Sequence, residues 1–174
     1  MLQAAWSSRI ACRNAVRNPS VFQDASIWFL VRKSHAVLRC APQYFHRWNR
    51  AASDLRAVYL SDSLALACME TLVHIRPLSR GFPKSVYYVV DIPDRFLWRP
   101  ALKELPPDWD IEPVPTGPMD FGTNFLRGLT AVGLVVPTVL QPIGDNVLLN
   151  PAHPDFDLRW ITGPSDYPYN PRLE

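Results

Sequence analysis

The sequence predicts a single α+β domain. A chain of 174 residues is typical of one domain, and 48% hydrophobic residues are enough for an ordinary buried core. Segments with strand-like and helix-like patterns alternate only in part along the chain. That arrangement favours a mixed sheet with surrounding helices over a doubly wound parallel sheet.

Two strands are predicted in the first sixty residues. Residues 27–31 (IWFLV) form a short apolar and aromatic run, which is typical of a buried strand. Residues 33–55 are irregular, with Pro42 and several polar residues. Residues 56–60 (RAVYL) then predict a second, short strand.

A helix is predicted to follow the second strand. Ser61 or Asp62 is suited to cap its N-terminus, because short polar side chains accept hydrogen bonds from the first free amides. The helix is predicted to continue to about Ile75, since Pro77 and Gly81 come soon afterwards.

The second half of the chain predicts three more strands and a short helix. Residues 85–92 (SVYYVVDI) are strongly β-branched and aromatic, whereas the proline-rich residues 94–118 predict loops. A helix is predicted within residues 119–130. Strands follow at 132–140, with Pro137 at an edge or a bulge, and at 146–150. Residues 163–174 predict an irregular C-terminal tail.

Charge and cysteine content exclude several classes of protein. The net charge of +2 gives no strong attraction to nucleic acid. The three cysteines fit no disulfide framework, so reduced thiols in a cytoplasmic protein are the simplest interpretation. No apolar run approaches the length of a membrane span.

Residues 1–26 form a basic N-terminal segment. Arg9, Arg13 and Arg17 are four residues apart, which places them on one helical face, and no acid precedes Asp24. A targeting segment, a surface helix and a helix that docks a partner all have this pattern.

Glu70 is the residue of the predicted helix that requires an explanation. Leu66, Ala67 and Val73 lie three or four positions away, so they share its face. Burying a carboxylate on an apolar face costs free energy unless a cation or a ligand pairs with it. Alternatively, Glu70 lies at the boundary with water, and other apolar residues of the helix form the core stripe.

The common catalytic motifs are absent from the sequence. The four histidines are scattered, and neither an H-E-x-x-H motif nor a cysteine pair completes a metal site. There is no glycine-rich phosphate loop and no G-x-S-x-G nucleophile elbow. We therefore expect no bound metal.

Seven segments of the chain are informative when they are taken together and in order. They are RWN at 47–49, AVYLSDSLALACMETLVH at 57–74, VDIPD at 90–94, LPPDW at 105–109, FGTNFL at 121–126, VVPTVL at 135–140 and NVLLNPAHPDF at 146–156. Together they resemble the RES domain family, the toxins of Xre–RES toxin–antitoxin modules. The resemblance covers about residues 27–160.

The resemblance implies a fold and an activity. It implies an ADP-ribosyltransferase-like mixed or antiparallel sheet core over residues 27–162, the RES domain. It implies that NAD+ is a substrate rather than a recycled cofactor, so no cofactor is expected. It also implies that water or phosphate cleaves the nicotinamide–ribose bond, as in an NAD+ glycohydrolase or phosphorylase. Two alternatives remain: a mono-ADP-ribosyltransferase acting on a protein, and a catalytically decayed scaffold that serves as an interaction protein.

The resemblance also implies roles for particular residues. Arg47, Tyr59 and Glu70 stand at the family's second arginine, its tyrosine and its glutamate. Arg47 would hold the pyrophosphate of NAD+, Tyr59 would pack on the nicotinamide or its ribose, and Glu70 would lie near the ribose. Thr138 replaces the family's serine, and it keeps the hydroxyl while adding a methyl group.

Three further residues are candidates for binding NAD+. The family's first arginine follows the opening aromatic strand, where this chain has Phe29 and then Arg32 three residues later. Arg32 is therefore the candidate for that role. Asn49 follows Arg47 in the RWN segment, and Asn150 ends the last predicted strand, where it either forms an Asn-Pro turn or lines the site.

Partners follow from the resemblance as well. An Xre-type antitoxin would carry a helix-turn-helix for DNA and would block the active site of the toxin. The chain itself would contact neither nucleic acid nor membrane, and a homo-oligomer remains open.

Overall fold

The computed structural model describes residues 27–32, 46–52, 54–74 and 82–170, without the side chains of residues 29–32. The basic segment 1–26 lies outside these residues. The described part contains seven strands and two α-helices. They are β1 (Ile27–Arg32), β2 (Val58–Ser61), α1 (Leu64–Val73), β3 (Ser85–Val90), β4 (Leu97–Trp98), α2 (Thr116–Gly128), β5 (Gly133–Pro137), β6 (Asp145–Leu149) and β7 (Ile161–Tyr167).

The strands form one mixed sheet in the order β4-β5-β6-β2-β1-β3-β7. β4 and β5 are parallel, and every other neighbouring pair is antiparallel. The predicted α+β class is confirmed. Within the residues that the structure covers, no helix is long and apolar enough to span a membrane.

Side chains alternate between the two faces of the sheet, as strand geometry requires. On β2, Val58 and Leu60 join one buried cluster, whereas Tyr59 packs against the other. On β6, Leu148 belongs with Tyr59, and its neighbours belong to the opposite cluster. We call the face with Tyr59 and Leu148 the helical face, because Phe125 and Leu126 of α2 pack into its cluster.

α1 begins one or two residues later than predicted. Its N-cap is Ser63, whose hydroxyl accepts a hydrogen bond from the amide of Leu66 at 3.2 Å. The two predicted caps bond to β6 instead: the Ser61 hydroxyl donates to Asn146, and the Asp62 carboxylate accepts from the amide of Asp145. Sheet pairing, which the local sequence does not show, takes precedence over capping here.

α2 brings the Arg47 turn close to the sheet. The helix begins at Thr116, which is earlier than predicted. Pro118 does not prevent this start, because it lies in the first turn, where no amide hydrogen is needed. A Cβ atom at Gly122 would lie 1.8 Å from the carbonyl oxygen of Trp48. The absence of a side chain at Gly122 therefore lets the backbone of residues 46–49 rest directly on α2.

The predicted irregular tail is wrong as far as Tyr167. Ile161–Tyr167 form β7, which pairs with β3 and shifts register between the Tyr87 and Val89 pairs. Gly163 and Pro164 lie at this irregularity, and five of the seven side chains of β7 are exposed. Edge strands tolerate proline and bulges, so β7 carries no apolar pattern that would reveal it.

Pro137 lies at the end of a strand, as its chemistry requires. It is the last residue of β5 and stands opposite Asp145 of β6. On the other side of β5, the two-residue strand β4 pairs only with Gly133 and Leu134. Pro137 thus lies beyond the last pairing with β4, an edge-like position that proline tolerates.

Candidate active site

The carboxylate of Glu70 lies against the sheet rather than at an outer surface of α1. Its Oε1 accepts hydrogen bonds from Thr138 Oγ1 at 2.8 Å and from Asn146 Nδ2 at 2.6 Å. Glu70 itself is half-buried. The acid is therefore held by two uncharged donors, which satisfy one oxygen without neutralising the negative charge.

Asn146 reaches Glu70 from the centre of the sheet. It stands on β6, opposite Ser61 of β2 and Val136 of β5. The Ser61 hydroxyl donates to Asn146 Oδ1 at 2.8 Å. Strand alternation puts Ser61 and Asn146 on the helical face, two positions from Tyr59 and Leu148. Glu70 of α1 reaches Asn146 on this same face.

Thr138 supplies the second donor from the end of β5. It is 1% exposed, and its hydroxyl accepts from the amide of Leu140 at 3.1 Å. That backbone donor leaves the hydroxyl hydrogen of Thr138 to point at Glu70. The arrangement uses only the hydroxyl group, which serine and threonine share.

Tyr59 is held by an equally specific hydrogen bond. Its phenol donates to Asn49 Oδ1 at 2.6 Å, and its ring centroid lies 4.9 Å from that of His46. Burial raises the pKa of Tyr59, and the Glu70 carboxylate raises it further, against the opposing effect of a hydrogen bond from the Trp48 backbone. Tyr59 is therefore a neutral phenol close to the acid.

Asn49 belongs to a tight turn. It is 2% exposed, and the backbones of His46 and Asn49 exchange two hydrogen bonds at 3.1 and 3.2 Å. Its Nδ2 donates to the carbonyl of Arg50 at 3.1 Å, which leaves Oδ1 directed at Tyr59. Asn49 thus connects the Arg47 turn to β2.

The side chain of Arg47 is bound to a loop of the proline-rich region. Its Nη1 donates to the carbonyl oxygens of Trp109 at 2.7 Å and Ile111 at 3.0 Å. Its Nη2 pairs with the carboxylate of Glu112. The side chain of Arg47 is 11% exposed and that of Glu112 is 68% exposed, so the ion pair opens to solvent on the glutamate side.

Asn150 is committed to backbone contacts elsewhere. Its Nδ2 donates to the carbonyl of Leu126 at 2.8 Å, and its Oδ1 accepts from the amide of Ala152 at 3.1 Å. It is 1% exposed and joins the end of α2 to the turn after β6. Arg32 ends β1 opposite Ser85, and its side chain lies outside the described residues.

The structure thus brings Glu70 and Thr138 into contact, with Tyr59 and Asn49 bonded to each other nearby. Sequence reasoning missed Ser61 and Asn146 as members of the site. A period-two signal exists for both, because Ser61 is two residues from Tyr59 and Asn146 is two from Leu148. Nothing in either segment alone shows that the two strands are neighbours.

Across the part of the chain that the structure describes, no group of three or more histidine, cysteine, aspartate or glutamate side chains is placed to hold a metal ion. The rings of His46 and His74 lie 6.4 Å apart, edge to face. The expectation of a metal-free site stays a prediction.

Comparison with known proteins identifies the family. The family model of the RES domain matches residues 5–170, nearly the whole chain. The chain belongs to the RES domain family. The resemblance seen in the seven sequence segments is thereby confirmed.

Relatives of this RES domain carry names that refer to toxins. A protein of Yersinia enterocolitica named "Toxin Res" is 34% identical over 77% of this chain and 87% of its own length. A protein of Sphingobium sp. named "Prs ADP-ribosylating toxin" is 38% identical over 63% of this chain and 68% of its own. A "Toxin Res" of Photorhabdus laumondii is 34% identical over 67% of this chain and 72% of its own.

Proposed function

We propose that this RES domain is a toxin that consumes NAD+ by cleaving the bond between nicotinamide and ribose. The observation that carries the proposal is the Glu70 carboxylate, which is fixed by two neutral donors beside a neutral tyrosine. The names of the relatives support the toxin role, and one of them names a chemistry that uses ADP-ribose.

The chemistry requires a fixed negative charge. Nicotinamide leaves as a neutral group, and positive charge develops on the ribose in an oxocarbenium-like transition state. A preorganised carboxylate stabilises that charge without having to reorganise during the reaction. Because Thr138 and Asn146 are uncharged, the full negative charge of Glu70 remains available to the substrate.

Tyr59 and Asn49 are proposed to define the nicotinamide end of the site. A neutral phenol offers an aromatic surface to the nicotinamide or its ribose and adds no charge that competes with Glu70. The hydrogen bond to Asn49 fixes the orientation of the ring. Asn49 is therefore proposed to act on NAD+ chiefly through Tyr59.

Arg47 is proposed to bind the pyrophosphate. Two backbone carbonyls hold its guanidinium in one orientation, and the exposed carboxylate of Glu112 shows that the outer edge accepts an anion. Phosphate oxygens suit the planar guanidinium, so exchange of Glu112 for pyrophosphate keeps the charge paired. Arg32 is proposed as the second phosphate ligand, and contact of Asn150 with NAD+ stays a prediction.

A second candidate function is the transfer of ADP-ribose to a protein. The observation that favours it is the 38% identity to the ADP-ribosylating toxin of Sphingobium. The same carboxylate and tyrosine would serve, with a protein nucleophile in place of water or phosphate. An Xre-type antitoxin that covers the site is proposed for either activity.

Nicotinamide release from NAD+ by the purified chain tests the proposal. Glu70→Gln keeps the size of the side chain and removes its charge, so release should fall about 100-fold or more, which corresponds to at least about 2.7 kcal/mol in the barrier. Glu104→Gln is the matched control, because Glu104 is exposed and its carboxylate accepts from the amide of Ala101. Absence of release, or equal release from Glu70→Gln, would overturn the proposal.

The products separate the alternative acceptors. ADP-ribose indicates water, ADP-ribose 1-phosphate in phosphate buffer indicates phosphate, and a mass increase on a lysate protein indicates transfer. Growth arrest on expression of the chain, relieved by Glu70→Gln, tests the toxin role. Unimpaired growth together with no release would identify a decayed scaffold.

A further inference from the structure

The two hydrogen bonds that hold the carboxylate of Glu70 meet at one of its oxygens. Asn146 Nδ2 donates to Oε1 at 2.6 Å, and Thr138 donates to the same oxygen. Among the residues that the structure describes, these two are the only donors to Glu70, and neither bonds to Oε2. Within this part of the chain, hydrogen bonds therefore reach Oε1 and not Oε2.

Ser61 holds the far end of the Asn146 amide. Its hydroxyl donates to Asn146 Oδ1 at 2.8 Å, while Asn146 Nδ2 donates to Glu70. A carboxylate oxygen only accepts, so the NH₂ group of Asn146 must face Glu70. A flipped amide would place its oxygen against the oxygen of Glu70 and would lose that hydrogen bond.

The frame that holds these groups is the central part of the sheet. Ser61 of β2 and Val136 of β5 are the register partners of Asn146 on β6, one on each side. Backbone hydrogen bonds along both ladders fix the position of Asn146, whereas a loop residue would not be fixed in this way. A glutamate side chain loses considerable rotamer freedom when it is ordered, and the frame imposes that order before substrate binds.

We propose that Ser61 and Asn146 are positioning residues, which hold Glu70 so that Oε2 is the oxygen presented to the reacting ribose. This inference rests on the proposed cleavage of NAD+. Ser61 acts only through Asn146, and Asn146 acts only through Glu70. Loss of either should therefore weaken the chemical step and leave substrate binding largely intact.

A double-mutant cycle, read out by nicotinamide release, tests whether Ser61 acts through Asn146. Asn146→Ala should lower kcat about 10- to 100-fold, the size expected for losing a hydrogen bond to a charged group, with KM changed less than about 3-fold. Ser61→Ala should lower kcat by about 3- to 10-fold, since the amide of Asn146 is still present but has lost the hydroxyl that holds its Oδ1. The double variant should match Asn146→Ala, because Ser61 has nothing left to orient.

Matched controls separate positioning from general effects of the substitutions. Asn124→Ala on α2 and Ser165→Ala on β7 remove the same groups from exposed positions, and neither should change kcat. Asn146→Ser removes the donor to Glu70 while it keeps a polar group opposite Ser61, and it should show the same loss of kcat. This second variant keeps the test valid if Asn146→Ala folds poorly.

Two results would overturn the positioning pair. If the fold-loss of kcat in the double variant equals the product of the losses in the two single variants, Ser61 and Asn146 act separately. A raised KM with unchanged kcat in Asn146→Ala would place Asn146 in substrate binding.

A measurement without NAD+ separates this inference from the proposed function. The side-chain amide hydrogens of Asn146, observed by NMR, should exchange with solvent faster in Ser61→Ala and in Glu70→Gln than in the unaltered chain. If they do and the chain releases no nicotinamide, the proposed function fails while the pair stands. If nicotinamide is released and exchange is unchanged, the pair fails and the function stands.

Discussion

The two sides of the candidate site are built in different ways. On the carboxylate side, Thr138 and Asn146 donate directly to Glu70, and Ser61 donates to Asn146 from the neighbouring strand. On the arginine side, Arg47 bonds to two carbonyls of a loop and to the exposed Glu112. The carboxylate side is thus fixed by the sheet, whereas the arginine side ends in an ion pair that solvent reaches.

The two sides are therefore suited to different functions, the carboxylate side to transition-state stabilisation and the arginine side to anion binding. A group that stabilises a transition state has to be held in place, because reorganisation raises the barrier. A group that binds an anion has to exchange one partner for another, and the exposed carboxylate of Glu112 can leave Arg47 for solvent. Substitutions on each side of the site test this contrast.

Gly122→Ala should have the largest effect on stability, and it should displace the turn on the arginine side. The new Cβ would lie 1.8 Å from the oxygen and 2.8 Å from the carbon of the Trp48 carbonyl, both backbone atoms. The turn that carries Arg47 would have to move away from α2. We expect the free energy of unfolding to fall by about 3 kcal/mol or more in urea denaturation, a severe case of overpacking.

Gly128→Ala is the matched control for that substitution. Its Cβ would meet only Thr130 Oγ1 at 3.3 Å, in an exposed part of the same helix. The free energy of unfolding should change by less than about 1 kcal/mol, with a gain from the higher helix propensity of alanine. Equal losses in the two variants would show that α2 does not support the Arg47 turn closely.

Thr138→Val tests the carboxylate side with a change of nearly the same shape. It removes the donor to Glu70 and leaves the amide of Leu140 without the hydroxyl oxygen. We expect kcat for nicotinamide release to fall about 10- to 100-fold, because a hydrogen bond to a charged group is lost. Thr138→Ser should stay within about 3-fold of the unaltered chain, since the hydroxyl alone carries the contact. A serine variant as slow as the valine variant would show that the methyl group of Thr138 is essential.

Arg47→Ala tests whether the arginine side binds substrate. Loss of the guanidinium should raise KM for NAD+ about 10-fold, equivalent to about 1.4 kcal/mol, with a smaller change in kcat. Arg50→Ala is the control, because Arg50 is more exposed and pairs with Asp120 at the surface. Glu112→Gln should lower KM, since the competing anion is removed. An unchanged KM in Arg47→Ala would leave Arg47 as an anchor for the loop at Trp109 and Ile111.

The same contrast explains what could be predicted from the sequence. Local patterns predict the apolar strands and α1, and one acid among apolar residues points to Glu70. The position of Asn146 beside Glu70 could not be predicted, because Asn146 and its strand partner Ser61 are 85 positions apart and meet only through the register of β2 with β6. The contacts of Arg47 with a loop 62 or more positions away are equally non-local. β7 was missed because backbone pairing, not an apolar face, defines it.

The smallest expected effect is a loss of folding stability at acidic pH, caused by His46 in the turn that carries Arg47. Burial, and to a lesser extent the nearby His74, lowers the pKa of His46 from its ordinary value of 6.5. As pH falls below 6.5, the unfolded chain binds a proton at His46 before the folded chain does, so stability should decrease between that pH and the lower folded pKa. His46→Phe keeps a ring against Tyr59 and removes this titration. Urea denaturation at pH 7.5 and 5.5 should show a smaller loss in His46→Phe than in the unaltered chain, whereas His74→Gln should keep most of the loss, because burial is the larger cause. Equal losses in all three proteins would mean that His46 does not make the arginine side sensitive to acid.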